Sequence, residues 1–187
     1  VAAYVAGFYW LPYTIEVFGG FPGGVSHFIF FVFAGLEGAS LGIFAAGVRL
    51  AGLGPLCLFP PLLWVAIEYW YPQLFPWQLA SSQSGLLPLI QSADLVGAYG
   101  TSFLLAWGNA AIYSALNRRR DGLPALRPLL AVGLLAIAVL AYGYVRLEAV
   151  EARVTAAPRL AVAAVQGNIG VEMKWDPVQA AKNLRIH

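Results

Sequence analysis

The sequence predicts a mainly α protein: a polytopic transmembrane helical bundle followed by the first strand–helix unit of an α/β domain. Three observations carry this expectation. Of the 187 residues, 60% are hydrophobic and only 11% charged, whereas soluble domains carry about 25% charged residues. The apolar residues form continuous runs of membrane-crossing length and lack the two-residue alternation of a barrel strand, so helices, which satisfy their own backbone in lipid, are expected. Finally, the charge is lopsided. Residues 1–117 hold five charged side chains (Glu16, Glu37, Arg49, Glu68 and Asp94), and residues 118–187 hold the other fifteen of twenty. That divides the chain into a membrane part and a more water-compatible tail. The net charge of +2 offers no argument for nucleic acid, and the lone Cys57 excludes an intrachain disulfide framework.

Taken in order, a first span covers residues 1–18, and the glycine-rich GGFPGG of 19–24 breaks it. A second span covers 25–50, and a short turn follows at 51–55. The third covers 56–71, its helix start delayed by Pro60 and Pro61, which lack a donor N–H. The fourth covers 95–116, with Asp94 as N-cap. A basic loop, NRRRDGLPALRP at 117–128, leads to the fifth span at 129–147. Residues 1–147 therefore form a transmembrane domain of about five spans. The chain opens on Val1 inside a hydrophobic run, so it reads as a fragment with N-terminal spans missing. Residues 148–158 are a charged hinge. From 159 to 187 an α/β domain begins: LAVAAV at 160–165 is too short to span and reads as a buried strand. A loop follows, and Asp176 and Pro177 open a helix as N-cap and first helical residue.

Charge also orients the chain. If successive spans alternate, Arg49, Arg118, Arg119, Arg120 and Arg127 share one side, while the loops at 19–24 and 72–93 contain no Lys or Arg. Positive charge marks the cytoplasmic face, which places the 72–93 loop and the tail outside.

Two sequence blocks then agree. WVAIEYWYPQLFPWQLASSQ, continuing through PLIQSADLVGAYGTSFL to Asn109, and LAVAAVQGNIGVEMKWDP at 160–177 resemble the apolipoprotein N-acyltransferase family, bacterial inner-membrane enzymes with a nitrilase-like (CN hydrolase) domain outside the membrane. GGFPG at 19–23, after FYWLPY, resembles the same family. The chain departs from it at Tyr69-Trp70-Tyr71-Pro72, where members often carry Trp-Leu-Arg-Gly, and at Ala80-Ser81-Ser82-Gln83, where Gly-Tyr-Ser-Gln is common.

The resemblance implies that residues 159–187 begin a nitrilase-like domain in the periplasm. It implies acyl transfer from a membrane phospholipid, through an enzyme thioester, to the α-amino group of a diacylglyceryl-cysteine on an apolipoprotein. That chemistry uses a Cys nucleophile, a Glu base and a Lys that holds the oxyanion, with no metal or organic cofactor. All three catalytic residues are expected beyond His187, so no catalytic residue is assigned here. Two other readings stay open: a multi-pass transporter with Glu37 and Glu68 on an ion path, and a non-catalytic lipid-binding membrane protein.

The candidate substrate-binding residues are Glu68, Phe75, Trp77, Gln83 and Gln91. They cluster in a loop crowded with prolines, aromatics and amides, which reads as sitting at the membrane surface and holding something there. Side-chain amides can bond ester carbonyls and phosphate oxygens, whereas Trp70, Tyr71, Phe75 and Trp77 also have an ordinary reading as interfacial aromatics. Glu16, Glu68 and Asp94 near the outer interface would bind the lipoprotein's ammonium group or a phospholipid headgroup, or merely cap and solvate. Glu37, at mid-span, is either protonated or paired with a group the sequence does not identify. Cys57 reads as a small structural hydrophobe, Lys174 as a solvated loop charge, and Gly97, Gly100 and Ser102 as close helix packing.

Overall fold

The computed structural model describes residues 1–54, 56–75, 77–120 (backbone only at 118–120) and 126–164, with 166, 170 and 178. The chain divides into two compact units, residues 1–151 and 152–187. In the first unit every regular element among the described residues is helical: α1 (Ala2–Gly7), α2 (Leu11–Gly19), α3 (Gly23–Ala51), α4 (Phe59–Trp70), a 3₁₀ turn (Leu79–Gln83), α5 (Leu87–Ile90), α6 (Ala93–Arg120) and α7 (Leu126–Ala156), whose last turns extend beyond it.

Three of these helices are long and apolar enough to cross a membrane: Gly23–Ala51, residues Ala93–Asn117 of α6, and Leu126–Ala156. They correspond to the second, fourth and fifth expected spans. The first expected span is broken. Phe8–Trp10 form a turn between α1 and α2, and Pro12 sits at the start of α2, where its missing N–H costs nothing. The third is helical over only 12 residues, because Pro60 and Pro61 place the helix start at Phe59. Twelve residues rise about 18 Å, short of the roughly 30 Å hydrocarbon core.

On α3 and α6 the buried faces mix polar and apolar residues, while large apolar side chains lie exposed on the other side. On α3 the buried stripe is Ser26, Phe30, Phe33, Ala34, Glu37 and Ser40, spaced three and four apart as one helical face requires. Phe28, Phe31 and Leu36 lie exposed on the opposite side. That distribution suits lipid, since a soluble domain leaves no such contiguous apolar surface in water. The principal core joins Leu104, Trp107, Ala110 and Ala111 of α6 to Leu89, Cys57 and Val132 of α7. A second cluster joins Leu11, Phe30 and Phe33. Trp107 Nε1–H donates to the Leu56 carbonyl (2.7 Å), which ties the chain before α4 to α6.

The start of α6 differs from expectation. Asp94 lies in the helix's first turn, and its carboxylate is engaged across helices. It takes the Tyr142 hydroxyl (2.9 and 3.0 Å) and Arg146 Nε–H (2.6 Å) from α7. Three residues on, Gly97 leaves the helical conformation with φ 65° and ψ 179°, a region essentially restricted to glycine. A side chain there would meet open space, so Gly97 serves the backbone kink and not close packing. Gly143 of α7 is a close-packing glycine, since a Cβ there would run into the Pro88 backbone of α5.

In the second unit, helix continues to Ala156 through most of the segment read as a hinge. Nothing in EAVEARVTA breaks a helix before Pro158. The apolar run read as a strand has no regular structure over 160–164, and Leu160 and Val162 are exposed. A strand requires a partner for its backbone, and no strand occurs among the described residues. The loop and helix expected over 166–187 lie almost wholly outside those residues.

Candidate functional site

The segment joining α4 to α6 folds inward. Tyr71 Oη–H donates to the Leu36 carbonyl and Leu74 N–H to Glu37 Oε1 (3.2 Å). Glu37 lies fourteen residues from either end of α3, about 21 Å of helix from each. Further along, Leu79 N–H donates to Glu68 Oε1 (2.7 Å) and Ala80 N–H to Ser102 Oγ (3.0 Å). Four groups of one loop thus bond positions within α3, α4 and α6. The sequence expectation of a loop resting at the surface is corrected to a re-entrant one. The physical condition for such backbone is that protein groups replace water as its partners, and Glu37, Glu68 and Ser102 do so.

This finding accounts for the two intramembrane acids. Glu37 is 3% exposed and Glu68 9%, so each needs hydrogen bonds in place of its hydration. Glu68 Oε1 also accepts from Trp64 Nε1–H one turn earlier on α4 (2.7 Å). Among the described residues its second oxygen, Oε2, is buried without a protein partner. Ser102, read as a small packing residue, is fully buried and works as a hydrogen-bond acceptor for the loop.

A cavity of about 300 Å³ lies between the loop and the helices. Glu37 and Ser40 face it from α3, Trp64, Ile67 and Glu68 from α4, and Gln73, Trp77, Gln78 and Leu79 from the loop. A larger, mostly apolar groove of about 770 Å³ shares Trp64 and Leu79 with it. The groove runs between α3, α4 and α6 past Phe44, Val48 and Ala110 to Arg49 and Asn117. Arg49 and Asn117 line one end together, which fits α3 and α6 finishing on the same side.

Of the five residues singled out from sequence, Glu68 and Trp77 line the cavity. Phe75 stands behind it: its ring stacks on Phe8 (5.8 Å) and meets Phe33 edge-on (6.1 Å), while Trp77 meets Phe8 (5.5 Å) and Tyr4 (6.1 Å). Gln83 Nε2 donates to Ser82 Oγ (3.1 Å) and Gln91 Nε2 to the Leu87 carbonyl (3.3 Å), and neither faces the cavity. The amides that do are Gln73 and Gln78. Of the aromatics read as interfacial, Trp70 is the most exposed at 79%, while Trp77 and Phe75 are partly exposed at 43% and 37%. Asp94 and Glu16 lie away from the cavity. Glu16 is exposed, with its carboxylate over Gly23 at the start of α3, where the helix dipole favours negative charge. Sequence reasoning noticed Glu37 but found it no partner, because that partner is a backbone N–H 37 positions away.

Long apolar helices around a re-entrant loop with buried carboxylates define a multi-pass membrane protein with an internal polar site. The family described as "Apolipoprotein N-acyltransferase N-terminal domain" matches residues 1–111, and the chain belongs to that family. It is 36% identical over its whole length to the apolipoprotein N-acyltransferase of Geobacter metallireducens, of which it covers 37%. It is 29% identical over 93% of its length to that of Shewanella oneidensis, covering 33%. With the Azotobacter vinelandii protein it shares 36% identity over 67% of its length. The chain therefore spans about a third of the length of the first two relatives. No solved structure matches it.

Proposed function

We propose that this chain is the membrane-domain portion of an enzyme that N-acylates the N-terminal diacylglyceryl-cysteine of bacterial lipoproteins, using a phospholipid as acyl donor. The observation that carries the reading is a cavity lined by Glu37 and Glu68 beside a larger, mostly apolar groove, with Trp64 and Leu79 lining both. Such a pair accommodates a lipid whose headgroup is polar and whose chain stays in an apolar surrounding. Keeping the chain there matters, because each CH₂ moved into water costs about 0.8 kcal/mol. Glu68 and Trp77 are the proposed substrate contacts, with Phe75 holding the Trp77 ring in place through Phe8. Gln83 and Gln91 are carried as secondary candidates, because side-chain amides can bond ester carbonyls and phosphate oxygens. The domain lies in the inner membrane with the 72–93 loop on the periplasmic side, a reading supported by five arginines against none in alternate loops. The catalytic Cys, Glu and Lys belong to the nitrilase-like domain that residues 159–187 begin.

The test is acyl transfer from labelled phospholipid to a diacylglyceryl peptide with a free N-terminus. The full-length enzyme carrying this segment should transfer, and the 187-residue chain should form no acyl-thioester. Trapping acyl on Cys57 of the short chain, or failure of the full-length enzyme to transfer, overturns the assignment.

A further inference from the structure

We infer that the apolar groove between α3, α4 and α6 seats an anionic phospholipid from the leaflet on the Arg49 side. Its phosphate lies at Arg49 and Asn117, and one acyl chain runs along the groove. The groove is polar at that end and apolar beyond it. Arg49 in the last turn of α3, with Tyr113 and Asn117 one turn apart on α6, lines the polar end. None of the three has a hydrogen-bond or ion-pair partner among the described residues, and among those residues no carboxylate borders the groove. A guanidinium, a phenol hydroxyl and an amide N–H are the donors that phosphate oxygens accept.

Charge and length select the occupant. Arg49 is the only Lys or Arg within residues 1–117, and four arginines against one aspartate follow in 118–128. Such a surplus at one membrane face attracts anionic lipid, whereas a zwitterionic headgroup carries its own ammonium beside the phosphate and gains less. Ala106, Ala110, Tyr113 and Asn117 of the groove wall recur three and four apart, so they share one face of α6. Ala106 and Asn117 are eleven residues apart, a rise of about 16 Å. That is about half of the roughly 30 Å hydrocarbon core, the depth of one leaflet. This lipid is not the proposed substrate. Glu37 and Arg49 stand twelve residues apart on α3, about 18 Å of helix, so its headgroup lies far from the two acids. The two lipids would compete only at Trp64 and Leu79, which line both spaces. That competition rests on the proposed function, and the site itself does not.

The chain would be purified into nanodiscs of phosphatidylcholine and phosphatidylglycerol in equal amounts, and retained lipid measured by native mass spectrometry. The expected result is about a fivefold preference for phosphatidylglycerol, the scale of one basic side chain acting on anionic lipid. Arg49→Gln should abolish the preference, and Arg49→Lys should keep most of it. Ala45→Trp, an exposed position on the groove wall, leaves Arg49 in place and should lower retention by filling the groove. Arg127→Gln removes an exposed arginine of α7 that does not line the groove and should change nothing. Equal retention of the two lipids overturns the site. So does an equal loss in Arg127→Gln, which would mean diffuse attraction to a basic surface, or undiminished retention in Ala45→Trp. A kept preference without acyl transfer by the full-length enzyme would overturn the proposed function and leave the site standing.

Discussion

At the scale of single residues, Glu68 links α4 and the loop after it through one oxygen. Trp64 Nε1–H and Leu79 N–H both donate to Oε1, so the carboxylate fixes the α4 indole and the re-entrant backbone together. Glu68→Ala leaves two donors without their acceptor, and stranding a buried donor costs about 1–3 kcal/mol. Thermal unfolding in detergent should show a large loss for Glu68→Ala and a much smaller one for Glu68→Gln. Equal losses would mean that the side chain's bulk, and not its acceptor oxygen, matters. The presence of these acids was legible in the sequence, because a carboxylate inside an apolar span is expensive and therefore conspicuous. Their partners were not, because Leu74 N–H and Leu79 N–H are backbone groups that no composition reveals.

At the scale of elements, Gly97 sets where α6 starts its straight course. Its φ of 65° is poorly tolerated by residues with a Cβ, and such strain costs about 1–3 kcal/mol. Gly97→Ala should lower the unfolding temperature although nothing lies within 4 Å of the added methyl. Gly100→Ala should lower it for a different reason, crowding, because its methyl would run into the Val96 side chain. The junction of α6 with α7 rests on Asp94, Tyr142 and Arg146. Reversing one charge, in Asp94→Arg or Arg146→Asp, should destabilise the pair of helices, and combining both should recover much of the loss. Absence of recovery would show that the pair is a surface contact of little consequence. Helix existence was legible here from apolar run length. Helix breaks at Phe8–Trp10 and the shortness of α4 were only partly so: the prolines were visible, but their effect on crossing length depends on where each helix starts.

At the scale of the whole molecule, the arginine asymmetry supports one orientation. An impermeant maleimide should label Gly85→Cys in intact cells with a permeabilised outer membrane, and Leu126→Cys only after the inner membrane is opened. The opposite pattern would reverse the proposed topology and detach the loop from the periplasm. Family membership was also readable early, since the 64–109 and 160–177 blocks carry it in their own residues. By itself the sequence determined the membrane class, the helical elements, the charge asymmetry and the family, all of which depend on residue type and spacing along the chain. Only the tertiary structure decided that the 71–83 segment turns inward and that Glu37 and Glu68 share a cavity. It also decided that Trp77 and Gln78, and not Gln83 and Gln91, face that cavity. The physical reason is that buried acceptors on separate helices become one site only when a distant backbone comes to them for its hydrogen bonds.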